Sequence, residues 1–333
     1  MPATVTPRQL VQGLLQGTAP PRPLYLPIVF RHGARVENVP LSAFLTNPTK
    51  ISNALRQIRG RLRADGVTCY FDPLLETEAL GGAVRWEAED RPPSLHWLRP
   101  AVAGHLPEGL RPPEEAAKSG RIGVAVEVIR RLKSVLRDDC LLMAGISGPF
   151  TLAALLTQLQ GDDLLRAPDI SSALDLAGAT ISSVAKALLE AGAGVIFIRE
   201  DVLPALSADD ASDWASRLAT TINIIRFYQA LPVLLLPRES ATASSREIIL
   251  QQNWDCVVCP VLDASTPQLP AGFGVALPLE AFEPGESGSA SLDDGIRHIA
   301  SGPRPAVVTT AGDIPATADM ERLNKVWENV RLR

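Results

Sequence analysis

The chain has 333 residues, of which 46% are hydrophobic and 21% are charged, a composition typical of a large globular domain. Its net charge of −5 gives no electrostatic basis for binding nucleic acid or an anionic membrane, so neither is an expected partner. No apolar run approaches the length of a membrane span, and the N-terminus lacks the layout of a signal peptide, so we expect a cytoplasmic protein.

Eight short apolar runs predict strands that are buried on both faces, as in a parallel sheet. In chain order they are LYLPIVF, VTCYFDP, LLMAGISG, GVIFIRED, PVLLLPR, CVVCPVL, GFGVALPL and AVVTTAGD. Segments with helical spacing lie between them, among them LSAFLTNPTKISNALRQIRGRLRADG, which we interpret as one helical stretch ending at Gly66. This alternation predicts an α/β fold in which residues 1–333 form a single (β/α)8 TIM-type barrel. A doubly wound open sheet is the alternative, but FRHGARV after the first strand is not its glycine fingerprint.

Two segments interrupt this alternation. Residues from about 81 to 120 are rich in Pro, Glu and Arg, and we interpret them as an inserted Pro-rich loop that serves as a lid or a partner surface. The stretch EPGESGSAS near residue 285 is interpreted as a flexible connection.

The sequence predicts no metal site. Cys256 and Cys259 in CVVC have the spacing of a redox or zinc motif, but they lie in a strand-like run, where residues three apart face opposite sides. Neither a His-x-Cys nor a His-x-x-x-His pattern occurs elsewhere in the chain.

Charged residues follow most of the predicted strands, at the end where barrels of this kind carry their chemistry. Arg31 and Arg35 follow the first strand, and Asp72 ends the second. Arginine there suits a carboxylate or a phosphate, because its planar fork donates paired hydrogen bonds, and aspartate can stabilise a developing positive charge. Alternatively, these groups pair with one another at the barrel rim. Further candidates at the strand ends are His32, Phe150 in GISGPFT, Asp201 after Arg199 and Glu200, Arg238 beside Glu239, and Asp313.

Four stretches resemble the uroporphyrinogen decarboxylase superfamily. The opening TPRQLVQGLLQGTAPPRPLYLPIV is similar to the start of that family, FRHGAR to its MRQAGR, CYFDPLLETEALGG to its F-S-D-I-x-x-x-x-x-A-L-G, and GISGPFTLAALL to its G-x-P-W-T-L segment. The resemblance implies a single barrel, often a homodimer, that works without a metal or an organic cofactor. It also implies that Arg31 and Arg35 bind carboxylates of a tetrapyrrole, while Asp72 binds its pyrrole N–H groups and stabilises a protonated intermediate.

On this basis the catalytic residues are expected to be Asp72, Arg31 and Arg35. The substrate-binding residues are expected to be Arg31, Arg35, His32, Phe150, Asp201, Arg238 and Asp313. The chain also departs from the family pattern: Leu155 stands where the family has a tyrosine, Asp201 lies near the position of its serine, and VVTTAGDIPAT lacks its late histidine.

Three functional hypotheses follow. The first is a cofactor-independent decarboxylase that acts on a polycarboxylate, as the resemblance implies. The second is a zinc-free methyltransferase or demethylase of the corrinoid-linked branch, because AGDIPATADMERLNKV looks like that branch; its corrinoid-protein partner would dock on the insert between Trp86 and Trp97. The third is a non-catalytic binding protein that kept the barrel. The three surviving residues, Arg31, Arg35 and Asp72, favour the first.

Overall fold

The structure, a computed structural model, describes residues 5–89, 91–97, 102–136, 139–236, 243–250, 252, 254–260 and 273–331. Its strands in chain order are β1 (Leu24–Tyr25), β2 (Gly66–Tyr70), β3 (Ala83–Arg85), β4 (Ser94–His96), β5 (Leu141–Ser147), β6 (Val195–Arg199), β7 (Leu231–Leu235), β8 (Val257–Pro260), β9 (Phe273–Leu277) and β10 (Val307–Thr310). Eight of them form one parallel sheet in the order β1-β10-β9-β8-β7-β6-β5-β2, and β3 and β4 form a separate antiparallel hairpin. The predicted (β/α)8 barrel is therefore confirmed, with all eight predicted strands in place.

The helices lie between successive barrel strands. In chain order they are α1 (Pro7–Leu15), α2 (His32–Val36), α3 (Leu41–Leu45), α4 (Pro48–Arg61), α5 (Leu75–Leu80), α6 (Pro113–Ala116), α7 (Ile122–Leu136), α8 (Pro149–Thr157), α9 (Ile170–Ala191), α10 (Ala208–Phe227), α11 (Ala243–Leu250), α12 (Glu286–Ser301) and α13 (Met320–Val330). Two 3-10 turns add Gly161–Arg166 and Leu279–Phe282. Residues 81–120 hold the β3–β4 hairpin and α6, so the predicted insert has some regular structure of its own.

Between β1 and β2, where the barrel closes, the described residues show no backbone pairing of the two strands. Side chains form the hydrogen bonds across this seam instead. The Thr68 hydroxyl donates to the carbonyl of Pro27 and accepts from the N–H of Val29, each at 3.3 Å. The Asp65 carboxylate accepts from the N–H of Tyr25 at 2.9 Å, and the Asp65 N–H donates to the Tyr25 carbonyl at 2.9 Å. These bonds satisfy buried backbone groups that an open sheet edge would leave without partners.

One helix prediction and the prediction of a flexible connection were wrong. The stretch from 41 to 66 forms two helices, because Pro48 opens α4 and the Asn47 side chain accepts from the N–H of Thr49 at 3.0 Å as its N-cap. EPGESGSAS is not a flexible connection: most of it forms the first turns of α12. There Gly285 has a φ of 107°, and the Arg322 guanidinium donates to the carbonyl of Gly285 at 2.8 Å, which fixes the start of the helix.

Helix α9 is the one helix in the described part of the chain that is long and apolar enough to cross a membrane by length and composition. Within the fold, 61% of that apolar window is buried, and α9 packs against α8, α10 and α7. This is the environment of a core helix in a globular domain.

Replacing Thr68 by Val should destabilise the barrel at its seam. The substitution keeps the shape of the side chain but leaves the buried N–H of Val29 without a partner, so we expect a loss of about 1–3 kcal/mol in the free energy of unfolding. Urea denaturation measures it. The matched control is Thr180→Val, since no described residue forms a hydrogen bond with the buried Thr180 hydroxyl; this variant should be neutral or more stable. Equal losses in both variants would contradict the seam's role.

Candidate active site

A cavity of about 670 Å³ lies at the carboxyl end of β1, within the size range of small-molecule sites. Arg35 on α2 and Arg31, the residue before α2, line this cavity on one side. Glu89 and Pro92 of the insert also line it. The insert is tied to this place, because the N–H of Ser42 donates to the Glu89 carbonyl at 3.2 Å. The other lining residues are Ala34, Asn38, Val39, Pro40, Leu41, Pro315 and Ala316. The cavity thus combines mostly uncharged walls with two guanidinium groups.

Asp313 holds Arg31 in position. Its carboxylate accepts from Nε of Arg31 at 2.8 Å and from the N–H groups of Phe30 at 2.7 Å and Arg31 at 3.0 Å. Burial raises the pKa of Asp313, and the charge of Arg31 and these hydrogen bonds oppose that rise. Arg31 keeps 35% of its side chain exposed, and no described residue accepts a hydrogen bond from its terminal amino groups. Asp313 is therefore placed as the counterion of Arg31.

Arg35 is held more loosely. It is exposed, and its single hydrogen bond in the described part of the chain goes from Nη1 to the Ala316 carbonyl at 3.4 Å. It forms no salt bridge with a described carboxylate. Because Arg31 is paired and Arg35 is not, the cavity keeps a positive charge available to an anionic ligand.

His32 lies between the two arginines in sequence but does not line the cavity. It is buried, and its Nδ1 has no hydrogen-bond partner among the described residues. Burial lowers the pKa of His32, and the charges of Arg35 and Arg61 lower it further, against a backbone hydrogen bond to Ala316. The neutral ring is thus favoured, and a direct contact with substrate stays a prediction.

Asp72 lies outside this cavity in a buried ion pair. One carboxylate oxygen is bound by Nη1 of Arg121, and the other accepts from the N–H of Leu74 at 2.8 Å. Arg121 also donates from Nε to Glu78 at 2.5 Å. Burial lowers the pKa of Arg121, but the neighbouring Asp72 and Glu78 outweigh it and raise the pKa overall. Sequence reasoning missed Arg121; its one signal was a lone arginine at the junction of the insert and a helical segment.

Glu200, which follows β6, is another buried carboxylate. Unlike Asp72, it was not predicted as a site residue from the sequence. It accepts from the N–H groups of Phe150 at 3.1 Å and Thr151 at 2.8 Å, from the Thr151 hydroxyl at 2.8 Å, and from Nε1 of Trp214 at 2.8 Å. Burial nevertheless raises the pKa of Glu200 to about 7. Glu200 therefore fastens α8 and α10 to the barrel.

Phe150 and Asp201 were predicted to bind substrate, and both are neighbours of Glu200. The Phe150 ring is 1% exposed and stacks on Trp214 with centroids 6.1 Å apart, so it lies in the packed helix layer and does not line the cavity. Asp201 keeps 50% of its side chain exposed and pairs with Nε of Arg199 at 2.7 Å. Arg238 and Glu239 lie outside the described residues. The roles predicted for Phe150, Asp201 and Arg238 stay predictions.

No group of three or more His, Cys, Asp and Glu side chains is arranged to hold a metal ion in the described part of the chain. All four cysteines are buried and none forms a disulfide, and burial raises the pKa of Cys69 and Cys256. Cys256 and Cys259 thus behave as core side chains in and beside β8, as their spacing on a strand predicts.

Replacing Arg121 by Met should be strongly destabilising. Asp72 is 4% exposed, and removal of its partner leaves a buried charge without compensation, for an expected loss of about 3–5 kcal/mol in the free energy of unfolding. Chemical denaturation measures it, and adding Asp72→Asn should restore part of the loss. The control is Arg131→Met on α7, whose partner Glu127 is 41% exposed; this loss should stay below about 1 kcal/mol. Similar losses of unfolding free energy in Arg121→Met and Arg131→Met would contradict the view that Arg121 compensates a buried charge on Asp72.

The Glu200 carboxyl should make stability depend on pH. The unfolded side chain has a pKa of about 4.3, and the folded one about 7, so the folded state binds the proton more tightly between these values. The contribution of Glu200 is then greatest at low pH and is lost as the pH rises through 7. Relative to Glu200→Gln, the parent chain should therefore lose unfolding free energy from pH 5 to pH 8. Parallel curves for the parent chain and Glu200→Gln would contradict this.

Comparison with known proteins gives the family. The sequence profile of the uroporphyrinogen decarboxylase (URO-D) family matches residues 6–257. A curated uroporphyrinogen decarboxylase from Phenylobacterium zucineum is 30% identical over 123 residues. That match covers 36% of this chain and 33% of the relative, so the chain spans about a third of the length of that relative.

Two solved structures share the fold. A methyltransferase from Methanosarcina mazei superposes with a TM-score of 0.75 and 17% identity, and the match covers 99% of each chain. A B12-independent methionine synthase from a Shewanella species gives a TM-score of 0.53 at 13% identity, covering 87% of this chain and 88% of the other. At such identities the likeness speaks for the barrel alone. The family match, which spans most of the chain, goes further: this protein belongs to the uroporphyrinogen decarboxylase family.

Proposed function

We propose that this protein is a cofactor-independent decarboxylase that binds a polycarboxylate, with a tetrapyrrole as the candidate, through Arg31 and Arg35. The observation that carries the proposal is the placement of both guanidinium groups in one cavity of about 670 Å³ at the carboxyl end of β1. Arginine forks bind carboxylates with paired, charge-assisted hydrogen bonds. The family match and the name of the Phenylobacterium relative support decarboxylation as the reaction class.

The two arginines hold carboxylates that the substrate keeps. A guanidinium stabilises a carboxylate more than it stabilises neutral carbon dioxide, so binding the departing group would slow its loss. The carboxylates at Arg31 and Arg35 therefore orient the substrate, and the carboxylate that leaves lies elsewhere in the site. As its carbon–carbon bond breaks, the electron pair stays on the substrate carbon, which then takes up a proton.

Asp72 is the second part of the proposal. A carboxylate at the end of β2 can stabilise the positive charge of a substrate that takes up a proton before carbon dioxide leaves, and the electron pair of the broken carbon–carbon bond then neutralises that charge. Arg121 and the N–H of Leu74 hold its two oxygens, so its orientation is fixed before the substrate arrives.

We also propose a homodimer, for which light scattering should give twice the chain mass of 35.6 kDa.

Product analysis tests the proposal. Purified protein is incubated with uroporphyrinogen III without oxygen, and the products are followed by mass. We expect successive losses of carbon dioxide, reduced at least about tenfold in Arg35→Ala, because a charge-assisted contact of about 1.5–3 kcal/mol is removed. The control is Arg166→Ala, whose side chain is 78% exposed on a 3-10 turn and which should keep full activity.

The same assay separates the alternatives. Tight binding of the polycarboxylate with no loss of carbon dioxide would contradict decarboxylation and support a binding protein. Absence of both binding and turnover would contradict the proposal and leave methyl transfer, with a corrinoid protein docked between Trp86 and Trp97, to be tested by mixing the two proteins.

A further inference from the structure

Arg199 at the end of β6 points into the barrel. Its neighbour Glu200 accepts from Trp214 of α10 at 2.8 Å, so the Glu200 side chain lies on the helix side of the strand. Side chains alternate along a strand, which places Arg199 on the opposite, inner side. Ser147 is its register partner on β5 and therefore shares that side.

Arg199 does not line the cavity at Arg31 and Arg35, and its neighbours on the inner side of the barrel are Phe71 and Ser147. Its guanidinium lies 5.2 Å from the centroid of the Phe71 ring, and that ring fills the space beside Gly145 on β5. The Ser147 hydroxyl donates to Glu76 at 3.0 Å and the Ser147 N–H donates to Glu76 at 3.1 Å, so Ser147 is already satisfied. None of these groups accepts a hydrogen bond from Arg199.

Two carboxylates face Arg199: burial raises the pKa of Glu76 and the charge of Arg199 opposes that rise, and Asp201 pairs with Nε. Arg199 is only 6% exposed, and its Nη2 has no hydrogen-bond partner among the described residues. Its ion pair runs from Nε to Asp201, whose side chain is 50% exposed and can turn to solvent. A buried guanidinium nitrogen without an acceptor is costly, and such groups in native proteins call for an explanation such as a ligand.

We propose that Arg199 binds a second carboxylate of the substrate inside the mouth of the barrel, with Asp201 as the internal counterion that gives way to it. The inference rests on the proposed function and deepens it. On the shorter way round the barrel, β2 and β5 lie between β1 and β6. Three strand-to-strand steps of about 4.8 Å then separate β1 from β6 by about 14 Å along the barrel wall. A molecule held at Arg35 and Arg199 together is therefore an extended polycarboxylate, with acid groups on opposite sides of its frame.

The test measures binding of uroporphyrin III, a stable and fluorescent polycarboxylate, to the parent chain and four variants. We expect Arg199→Met to weaken binding about tenfold or more, and Arg199→Lys to weaken it less because the charge remains. Asp201→Asn should tighten binding about threefold or more, because the competing carboxylate is neutralised. A purely structural role of Arg199 predicts no such tightening. Arg35→Ala should weaken binding independently.

The outcomes separate this inference from the proposed function. If Arg35→Ala loses affinity while Arg199→Met and Asp201→Asn bind like the parent, the inference is overturned and the proposed function stands. If Arg199→Met fails to fold, Asp201→Asn decides, and an unchanged affinity overturns the inference. If the parent chain does not bind the probe, the proposed function fails and the inference falls with it.

Discussion

The buried carboxylate of Asp313 joins the last strand of the barrel to the first and sets the position of Arg31. It accepts hydrogen bonds from the backbone N–H groups of Phe30 and Arg31, in the segment after β1, and from Nε of Arg31. One side chain therefore joins the first and last strands of the barrel and orients the cation that we propose binds the substrate. Arg31 presents its terminal amino groups without rotating freely, which lowers the entropy lost when a ligand binds.

Buried carboxylates make similar contacts at both ends of the barrel strands. Asp65, Asp72 and Glu200 are buried carboxylates that each accept at least one backbone N–H and at least one side-chain donor. Such contacts fix loops and helices to the strands, and in a medium of low dielectric they stabilise the charges that they pair. In Arg35, Arg121 and Arg199, by contrast, part of each guanidinium has no hydrogen-bond partner among the described residues.

The fold was predictable because eight apolar runs report burial on both faces, a local property of the sequence. The cluster of Arg31, Arg35 and Asp313 was predictable in outline from the rule that strand ends meet at one mouth. The pairing of Asp72 with Arg121 was not, since the two are 49 positions apart and nothing local links them. The burial of Phe150 was not predictable for the same reason: its ring stacks on Trp214, from another helix.

The most direct measurement is a double-mutant cycle on Arg31 and Asp313, with the dissociation constant of uroporphyrin III as the readout. If Asp313 acts by holding Arg31, Asp313→Asn should weaken binding in the parent chain and have little effect once Arg31→Ala is present. Circular dichroism on each variant verifies that the barrel is intact. An equal loss of affinity in both backgrounds would mean that the two residues act independently, and would contradict this account of the site.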